Sequence, residues 1–328
     1  MLREGGHVAE ILEKETGVNP LWIPPWPTIE PSAYTPIQNP EYGADVESRL
    51  LSGIMGHNVC MDIFGGPSAD EAAAGIGVHG EAPVAPYDIE ETAGTIHMRA
   101  ELPLAGILFE RRVELRDAHI RFVEVVESMS AIDRPVAWTQ HVTLGPPFVE
   151  RGVTQFRCAA TRSKTFESDF GPASYLQPNA EFTWPMAPSK SGGARDLRIY
   201  NGDSVSGAFT TQLMDPQRED AFFTAFSPSL QVAIGYVWKR TDFPWLGIWE
   251  ENCSRPGAPW NSQTITRGLE FGVSPFPESR RQMVERGRLF GVPAYRWLPA
   301  RGRLKAEYWA TARKTASIPE ALDWPARA

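Results

Sequence analysis

The stretch TIHMRAEL, residues 95–102, alternates apolar and polar residues with a period of two. Its apolar residues are Ile96, Met98, Ala100 and Leu102. Because successive side chains of a β-strand point to opposite faces of the sheet, this pattern is typical of a strand with one face on an apolar core. The stretch therefore predicts an antiparallel sheet that is covered on one side.

The same alternation recurs in the C-terminal third of the chain, at residues 232–238 and 304–312. Residues 113–127, VELRDAHIRFVEVVE, contain two apolar runs separated by Arg116 and Asp117, which predicts a β-hairpin. Helix signals are fewer. Residues 215–226 and 278–290 combine capping or acidic residues with helical spacing, so both are predicted to be short helices packed on a sheet.

The composition favours the same architecture, because 28 glycines and 29 prolines in 328 residues indicate many turns and few long helices. We expect an all-β fold, a large antiparallel β-sandwich (a supersandwich) with a few short connecting helices. It is predicted to form a single domain over residues 1–328, crossed by a proline-rich strap at about residues 20–40 that contains Trp22 and Trp26.

Charge and cysteine content exclude several classes of protein. The net charge is −8, and no run of basic residues is longer than a pair, so we expect no nucleic-acid partner. The sequence has neither an apolar signal segment nor an apolar run of about 20 residues, which predicts a cytoplasmic protein without a membrane partner. The three cysteines, Cys60, Cys158 and Cys253, are far apart and are predicted to be reduced.

Two titratable residues occupy the polar faces of predicted strands. In VAWTQHVTL, residues 136–144, His141 shares a face with alanine and threonine, and the opposite face is apolar. In ITRGLEFGV, residues 265–273, Glu270 lies between Gly268 and Gly272, which leave space for a ligand. A rigidly mounted histidine and carboxylate are suited to acid–base catalysis. The alternatives are a solvated surface histidine and an exposed glutamate at a β-bulge.

Aromatic residues and further histidines add candidate binding residues. Trp245 and Trp249 share one face of residues 243–251, across a glycine, and predict either a stacking surface for a sugar ring or core packing. His79 lies in a glycine-bounded turn. A metal site formed by His57, Asp62, His79 and His141 stays open as an alternative, although no spacing typical of metal ligands supports it.

Four segments, in this order and spacing, resemble the galactose mutarotase-like superfamily of the aldose 1-epimerase type, in a divergent bacterial branch. They are GGHVAEI (residues 5–11), GIMGHNVCMDIFGG followed by GVHGEAP (residues 53–66 and 77–83), TQHVTLGPPF (residues 139–148) and GLEFGVSP (residues 268–275). The resemblance spans most of the chain. The family often has a Gly-Arg pair in its early motif, where this chain has Gly56 and His57.

The resemblance implies an enzyme that interconverts the anomers of a sugar by acid–base ring opening, without a metal or other cofactor. It implies that His141 is the general acid, Glu270 the general base and His79 a substrate-binding residue. We expect His57, Trp245 and Trp249 to contact the sugar as well. The alternatives are a non-catalytic carbohydrate-binding protein and a glycoside hydrolase or lyase, with Glu251 and Glu270 as the carboxylate pair. The oligomeric state, monomer or homodimer, stays open.

Overall fold

A computed structural model describes residues 1–325. It contains twenty strands. The first ten are β1 (His57–Asp62), β2 (Asp88–Thr92), β3 (Thr95–Leu102), β4 (Ile107–Arg116), β5 (His119–Ser128), β6 (Arg134–Leu144), β7 (Gln155–Cys158), β8 (Ala160–Thr165), β9 (Glu181–Thr183) and β10 (Met186–Pro188). The others are β11 (Ala194–Asp196), β12 (Ser206–Met214), β13 (Asp220–Ser227), β14 (Val232–Lys239), β15 (Trp245–Asn252), β16 (Ile265–Gly272), β17 (Arg288–Leu289), β18 (Val292–Pro293), β19 (Arg296–Leu298) and β20 (Arg303–Lys314).

Helices are few and short. They are α1 (Ser48–Leu51), α2 (Ala69–Ala73) and α3 (Arg280–Arg286), with 3₁₀ turns at Pro31–Ala33, Pro40–Tyr42 and Ala82–Val84. Ser279 caps α3 by accepting a hydrogen bond from the Gln282 amide, which confirms a helix within the predicted segment 278–290. Within residues 1–325 no helix has the length and apolar character needed to cross a membrane.

Two antiparallel eight-stranded sheets form the sandwich. The first sheet has the order β1-β6-β16-β15-β12-β8-β9, with β19 also paired to β6. The second has the order β2-β3-β4-β5-β20-β14-β13-β7. One buried apolar cluster contains side chains of both sheets, and this is the core that the alternating stretches predict. The all-β prediction is confirmed, while the single domain over residues 1–328 stays a prediction.

The predicted strands β3, β6, β14, β16 and β20 and the hairpin β4–β5 are confirmed. The predicted helix over residues 215–226 is wrong, because β13 occupies residues 220–227 and a turn precedes it. Phe223 packs in the core between the sheets and Phe222 packs in a separate cluster on the outer face. Since both faces of β13 are buried, its sequence does not alternate, and the acidic turn resembles a helix start.

The strap begins as a short addition to the first sheet. The Trp22 amide donates a hydrogen bond to the Thr143 carbonyl, and Leu21 bridges to Leu144. Trp22 is buried in a second apolar cluster that covers the outer face of the first sheet. Residues 20–22 therefore pair with the end of β6, while a strap over the whole of residues 20–40 stays a prediction.

Strand β6 separates two different environments. Its inward side chains include Trp138 and Val142, which pack between the sheets, whereas His141 and Thr143 point outward. Gln140 also points inward, and its amide nitrogen donates to the Glu124 carboxylate at 2.6 Å. Polar and apolar side chains thus fix the register of β6, and the register places His141 on the outer face.

A buried ion pair lies behind β6. The Arg111 guanidinium donates to Glu124 at 2.8 Å, and both side chains are at most 2% exposed. Tyr308 and Trp138 also donate to the Glu124 carboxylate, at 2.7 and 2.9 Å. These partners come from β4, β5, β6 and β20, so the network ties the two sheets together around one charged pair.

Candidate functional site

His141 and Glu270 meet on the outer face of the first sheet. They are directly opposite each other on the adjacent strands β6 and β16. The Nε2 atom of His141 lies 3.0 Å from Oε1 of Glu270, and both side chains are buried. The Nδ1 atom of His141 lies 2.9 Å from the Thr143 hydroxyl. The imidazole is held at both nitrogens, so its orientation is fixed before any ligand arrives.

Two glycines leave room for the Glu270 side chain. A Cβ atom at Gly268, two residues earlier on the same face, would lie 2.4 Å from Oε1 of Glu270. Gly247 is the cross-strand neighbour of Glu270 on β15, and a Cβ atom there would lie 3.4 Å from the Glu270 Cβ. Of the two glycines that mark β16 in the sequence, Gly268 therefore makes space for the carboxylate, whereas a Cβ atom at Gly272 would clash with Thr139 on β6.

A pocket of about 250 Å³ opens above the pair. Its lining combines aliphatic and aromatic side chains with a few polar groups, which is typical of small-molecule sites. The residues that line it are Glu47, Leu50, Leu51, Ile54, Gly65, Gly66, Val78, His79, His141, Phe170, Phe209, Trp249, Arg255, Trp260, Glu270 and Pro277. His141, Glu270, His79 and Trp249, four of the six residues predicted from the sequence, are among them.

His79 lies beside His141, with ring centroids 4.9 Å apart. Its backbone has φ of +66°, an uncommon value for a residue with a side chain, and its carbonyl accepts a hydrogen bond from the Met61 amide. Burial lowers the pKa of His79 to about 3, and its Nδ1 donates to the Phe64 carbonyl. His79 is therefore neutral near pH 7, and its Nε2 can accept a hydrogen bond from a ligand hydroxyl.

Tryptophan side chains form one wall of the pocket. The ring of Trp249 contacts His141 and Trp260 at centroid distances of 5.8 and 6.1 Å. Trp260 stacks on Trp22 of the strap at 6.2 Å. The Arg255 guanidinium lies over the Trp260 ring, 4.7 Å from its centroid. An aromatic wall with a cation beside it is suited to a ring that has both C–H and hydroxyl surfaces.

Two predicted contact residues lie elsewhere. Trp245 shares the outward face with Trp249 but is fully buried, and its indole N–H donates to the carbonyl of Pro293 in β18. His57 is also fully buried, between the sheets, where its Nε2 donates to Gln140 and its Nδ1 accepts from Tyr236. Neither side chain lines the pocket, so a direct sugar contact does not fit their positions.

The four residues of the metal alternative are not gathered around one point. Asp62 is held by Arg134, whose guanidinium donates to both carboxylate oxygens at 2.8 Å, and by Arg280. His57 lies in the core, away from the pocket that His79 and His141 line. Within the 325 described residues no group of three or more histidine, cysteine, aspartate or glutamate side chains is arranged to hold a metal ion.

The hydrolase alternative requires two carboxylates that flank one bond. Glu251 is buried, and its two oxygens accept hydrogen bonds from the amide and the hydroxyl of Ser254, both at 2.6 Å. It does not line the pocket that contains Glu270. The pairing of Glu251 with Glu270 is therefore not supported by their positions.

Several pocket residues were not singled out from the sequence. They are mainly residues outside the strands, namely Glu47, Phe170, Arg255 and Trp260, together with Phe209 on β12. The connection 253–264, with its prolines and glycine after a fully buried strand, carries a signal that loop residues line a site. It does not indicate which strand the loop folds over.

No family model matches the sequence, and no curated protein matches it significantly. Solved structures do match. A protein from Klebsiella pneumoniae, provisionally named an aldose 1-epimerase, is 12% identical, with a TM-score of 0.65 and with 92% of this chain and 73% of that chain covered. A galactose mutarotase-like protein from Lactobacillus casei is 12% identical, with a TM-score of 0.54 and 95% of each chain covered.

The chain has the galactose mutarotase-like fold. A further galactose mutarotase-like protein, from Clostridium acetobutylicum, matches with a TM-score of 0.57 over 95% of this chain and 90% of that chain, at 10% identity. The resemblance inferred from the four sequence segments is thus confirmed for the fold. At these sequence identities the structural similarity establishes the fold alone, and the function has to be argued from the pocket.

Proposed function

We propose that this protein is an aldose 1-epimerase, which interconverts the α and β anomers of a sugar by opening and reclosing its hemiacetal ring. The observation that carries the proposal is the contact of 3.0 Å between His141 and Glu270 on the floor of a pocket. One proton donor and one proton acceptor, mounted side by side on neighbouring strands, match what ring opening requires.

The reaction needs two proton transfers. The Glu270 carboxylate takes the proton of the anomeric hydroxyl, and the electron pair of that O–H bond forms the C1=O double bond. The bond between C1 and the ring oxygen breaks, and protonated His141 gives its proton to that oxygen. Rotation about the C1–C2 bond and reversal of both transfers form the other anomer and restore both side chains.

The surrounding residues supply binding and orientation. Neutral His79 offers Nε2 as an acceptor for a sugar hydroxyl, and Trp249 and Trp260 offer aromatic surface to the C–H face of the ring. The Thr143 hydroxyl at 2.9 Å keeps the His141 ring in place while Nε2 exchanges its proton. These contacts fix a sugar so that its anomeric centre faces the acid–base pair.

The test is Glu270→Gln, which keeps the shape of the side chain and removes the base. We expect the rate of anomer exchange to fall by about 10²–10⁴-fold, with sugar binding retained. Exchange is measured by polarimetry and NMR over a panel of aldoses. Glu285→Gln, on the exposed face of α3, is the matched control and should leave the rate unchanged.

A second variant tests whether the pair acts as a unit. If it does, the double variant His141→Gln, Glu270→Gln should lower the rate of anomer exchange about as much as either single change does. If the wild-type protein binds a sugar but accelerates the anomer exchange of no aldose above the rate in buffer, the proposed enzymatic activity is refuted. That result would favour the carbohydrate-binding alternative.

A further inference from the structure

A second cavity, of about 310 Å³, adjoins the candidate site. Its lining consists of Phe166, Asp169, Phe170, Gly171, Glu250, Glu251, Ser254 and Arg255. Phe170 and Arg255 also line the first pocket. The two cavities therefore share these two side chains as a common border.

The second cavity has the surface that a pyranose ring requires. Phe166 and Phe170 pack edge to face, with centroids 5.1 Å apart, and offer apolar surface to the C–H groups of a ring. Asp169 is 59% exposed, with one oxygen 2.8 Å from Lys190, so its carboxylate can also accept hydrogen bonds from hydroxyls. Aromatic surface beside an accessible carboxylate is a combination suited to a polar ring with apolar faces.

Arg255 is positioned to serve both cavities. Its guanidinium lies 3.3 Å from Glu47 at the first pocket and 3.4 Å from Glu251 at the second. Stacking on Trp260 holds the guanidinium plane in place. A guanidinium has five N–H donors, so two ion pairs leave donors for hydroxyls on either side. Two carboxylates already face its single positive charge, which favours an uncharged ligand at this border over an anionic one.

The volumes of the two cavities also favour a ligand larger than one sugar ring. The first pocket, at about 250 Å³, lies below the range of roughly 300–1,000 Å³ that is typical of ligand sites, and the two cavities together lie within it. A single sugar ring above His141 and Glu270 would leave the second cavity without an occupant. Ring opening needs a free anomeric centre, so any additional ring must be attached through another hydroxyl of the reacting ring.

We propose that the substrate is a reducing oligosaccharide of at least two rings. Its reducing ring lies over His141 and Glu270, its second ring lies against Phe166 and Phe170, and Arg255 bridges the two. The assignment of the reducing end rests on the proposed function. The presence of a second sugar subsite rests on the second cavity alone.

Binding is measured first, by calorimetry on the Glu270→Gln protein, so that the reaction does not disturb it. The ligands are glucose and galactose, and the reducing disaccharides maltose, cellobiose and lactose. We expect at least one disaccharide to bind ten-fold or more tightly than its monosaccharide. Phe166→Ala should abolish that preference and leave monosaccharide affinity within two-fold.

Asp169→Asn keeps the shape of the subsite and covers the case in which Phe166→Ala fails to fold, because Phe166 also packs on Phe209. It should weaken disaccharide binding at least three-fold. Asp203→Asn is the matched control, since Asp203 is similarly exposed and paired with Arg195 but lines neither cavity. It should change nothing.

The proposal is overturned if no disaccharide binds more tightly than its monosaccharide, or if the preference survives in both variants. Anomer exchange by the wild type is measured separately on the same five sugars. Its absence with all of them refutes the proposed epimerase, whereas the binding preference and its loss on Phe166→Ala still decide the second subsite. The two failures are therefore distinguishable.

Discussion

Gly268→Ala tests the geometry of the proposed acid–base pair, His141 and Glu270, without removing either member. The added Cβ would lie 2.4 Å from Oε1 of Glu270, and ordinary contact between such atoms begins near 3.4 Å. The carboxylate oxygen must therefore retreat by about 1 Å. That oxygen is the one in contact with Nε2 of His141 at 3.0 Å, so the retreat disturbs the pair directly.

A misplacement of about 1 Å at a reacting group costs about 10²-fold in rate, and we expect a loss of that size for Gly268→Ala. Stability should change little, because the clash is with the end of a flexible side chain and alanine is favoured over glycine inside a strand by roughly 0.5–1 kcal/mol. The assay is anomer exchange by NMR, together with urea unfolding of the same samples.

Gly257→Ala is the matched control, since a Cβ at Gly257 would meet no atom within 4 Å. It should retain both rate and stability. Full activity in a folded Gly268→Ala protein would refute the argument that the space left by Gly268 is needed for catalysis. A loss of activity with an equal loss of folded protein would refute it as well, because the effect would then be structural.

Three further outcomes are expected. Chelator treatment should leave the rate of anomer exchange unchanged, because side chains carry both proton transfers in the proposed reaction. Loss of rate that a divalent ion restores would contradict this. Burial lowers the pKa of His7 to about 4 and that of His79 to about 3, so the unfolded chain binds more protons below pH 6.5. The free energy of unfolding should therefore fall by about 2 kcal/mol for each histidine between pH 7.5 and pH 5, as measured by urea unfolding. If His7→Gln unfolds with the same dependence of free energy on pH as the wild type, the argument is contradicted. Arg111→Met leaves Glu124 buried without its cation and should lower the free energy of unfolding by about 3–5 kcal/mol. Arg99→Met, at an exposed ion pair, should lower it by less than about 1 kcal/mol, and equal losses in urea unfolding would contradict the argument.

The strands that alternate could be predicted because their two faces differ in environment. The period of two in β6 and β16 placed His141 and Glu270 on the outer faces, and backbone pairing then brought them together. Strand β13 could not be recognised in the same way, because both of its faces are buried and its sequence has no alternation to detect.

The pocket walls could be predicted only in part. Trp245 and Trp249 have equivalent positions on β15, but Trp245 is covered by the hairpin of β17 and β18 some 45 residues later in the chain, whereas Trp249 lines the pocket. Local pattern does not contain that information. The same holds for His57, because its polar partners in the core, Gln140 and Tyr236, lie 83 and 179 residues later in the chain.

Floor and walls of the pocket belong to separate parts of the chain. The floor is the cross-strand pair of β6 and β16, fixed by main-chain pairing, whereas the walls come largely from segments 47–54, 65–79 and 255–260. Connections tolerate insertion and replacement far better than paired strands do. Selection, or a protein engineer, can therefore exchange a wall segment and alter which ligand is admitted while the His141–Glu270 pair is inherited intact. Ligand choice and chemistry are free to diverge at different rates within one scaffold.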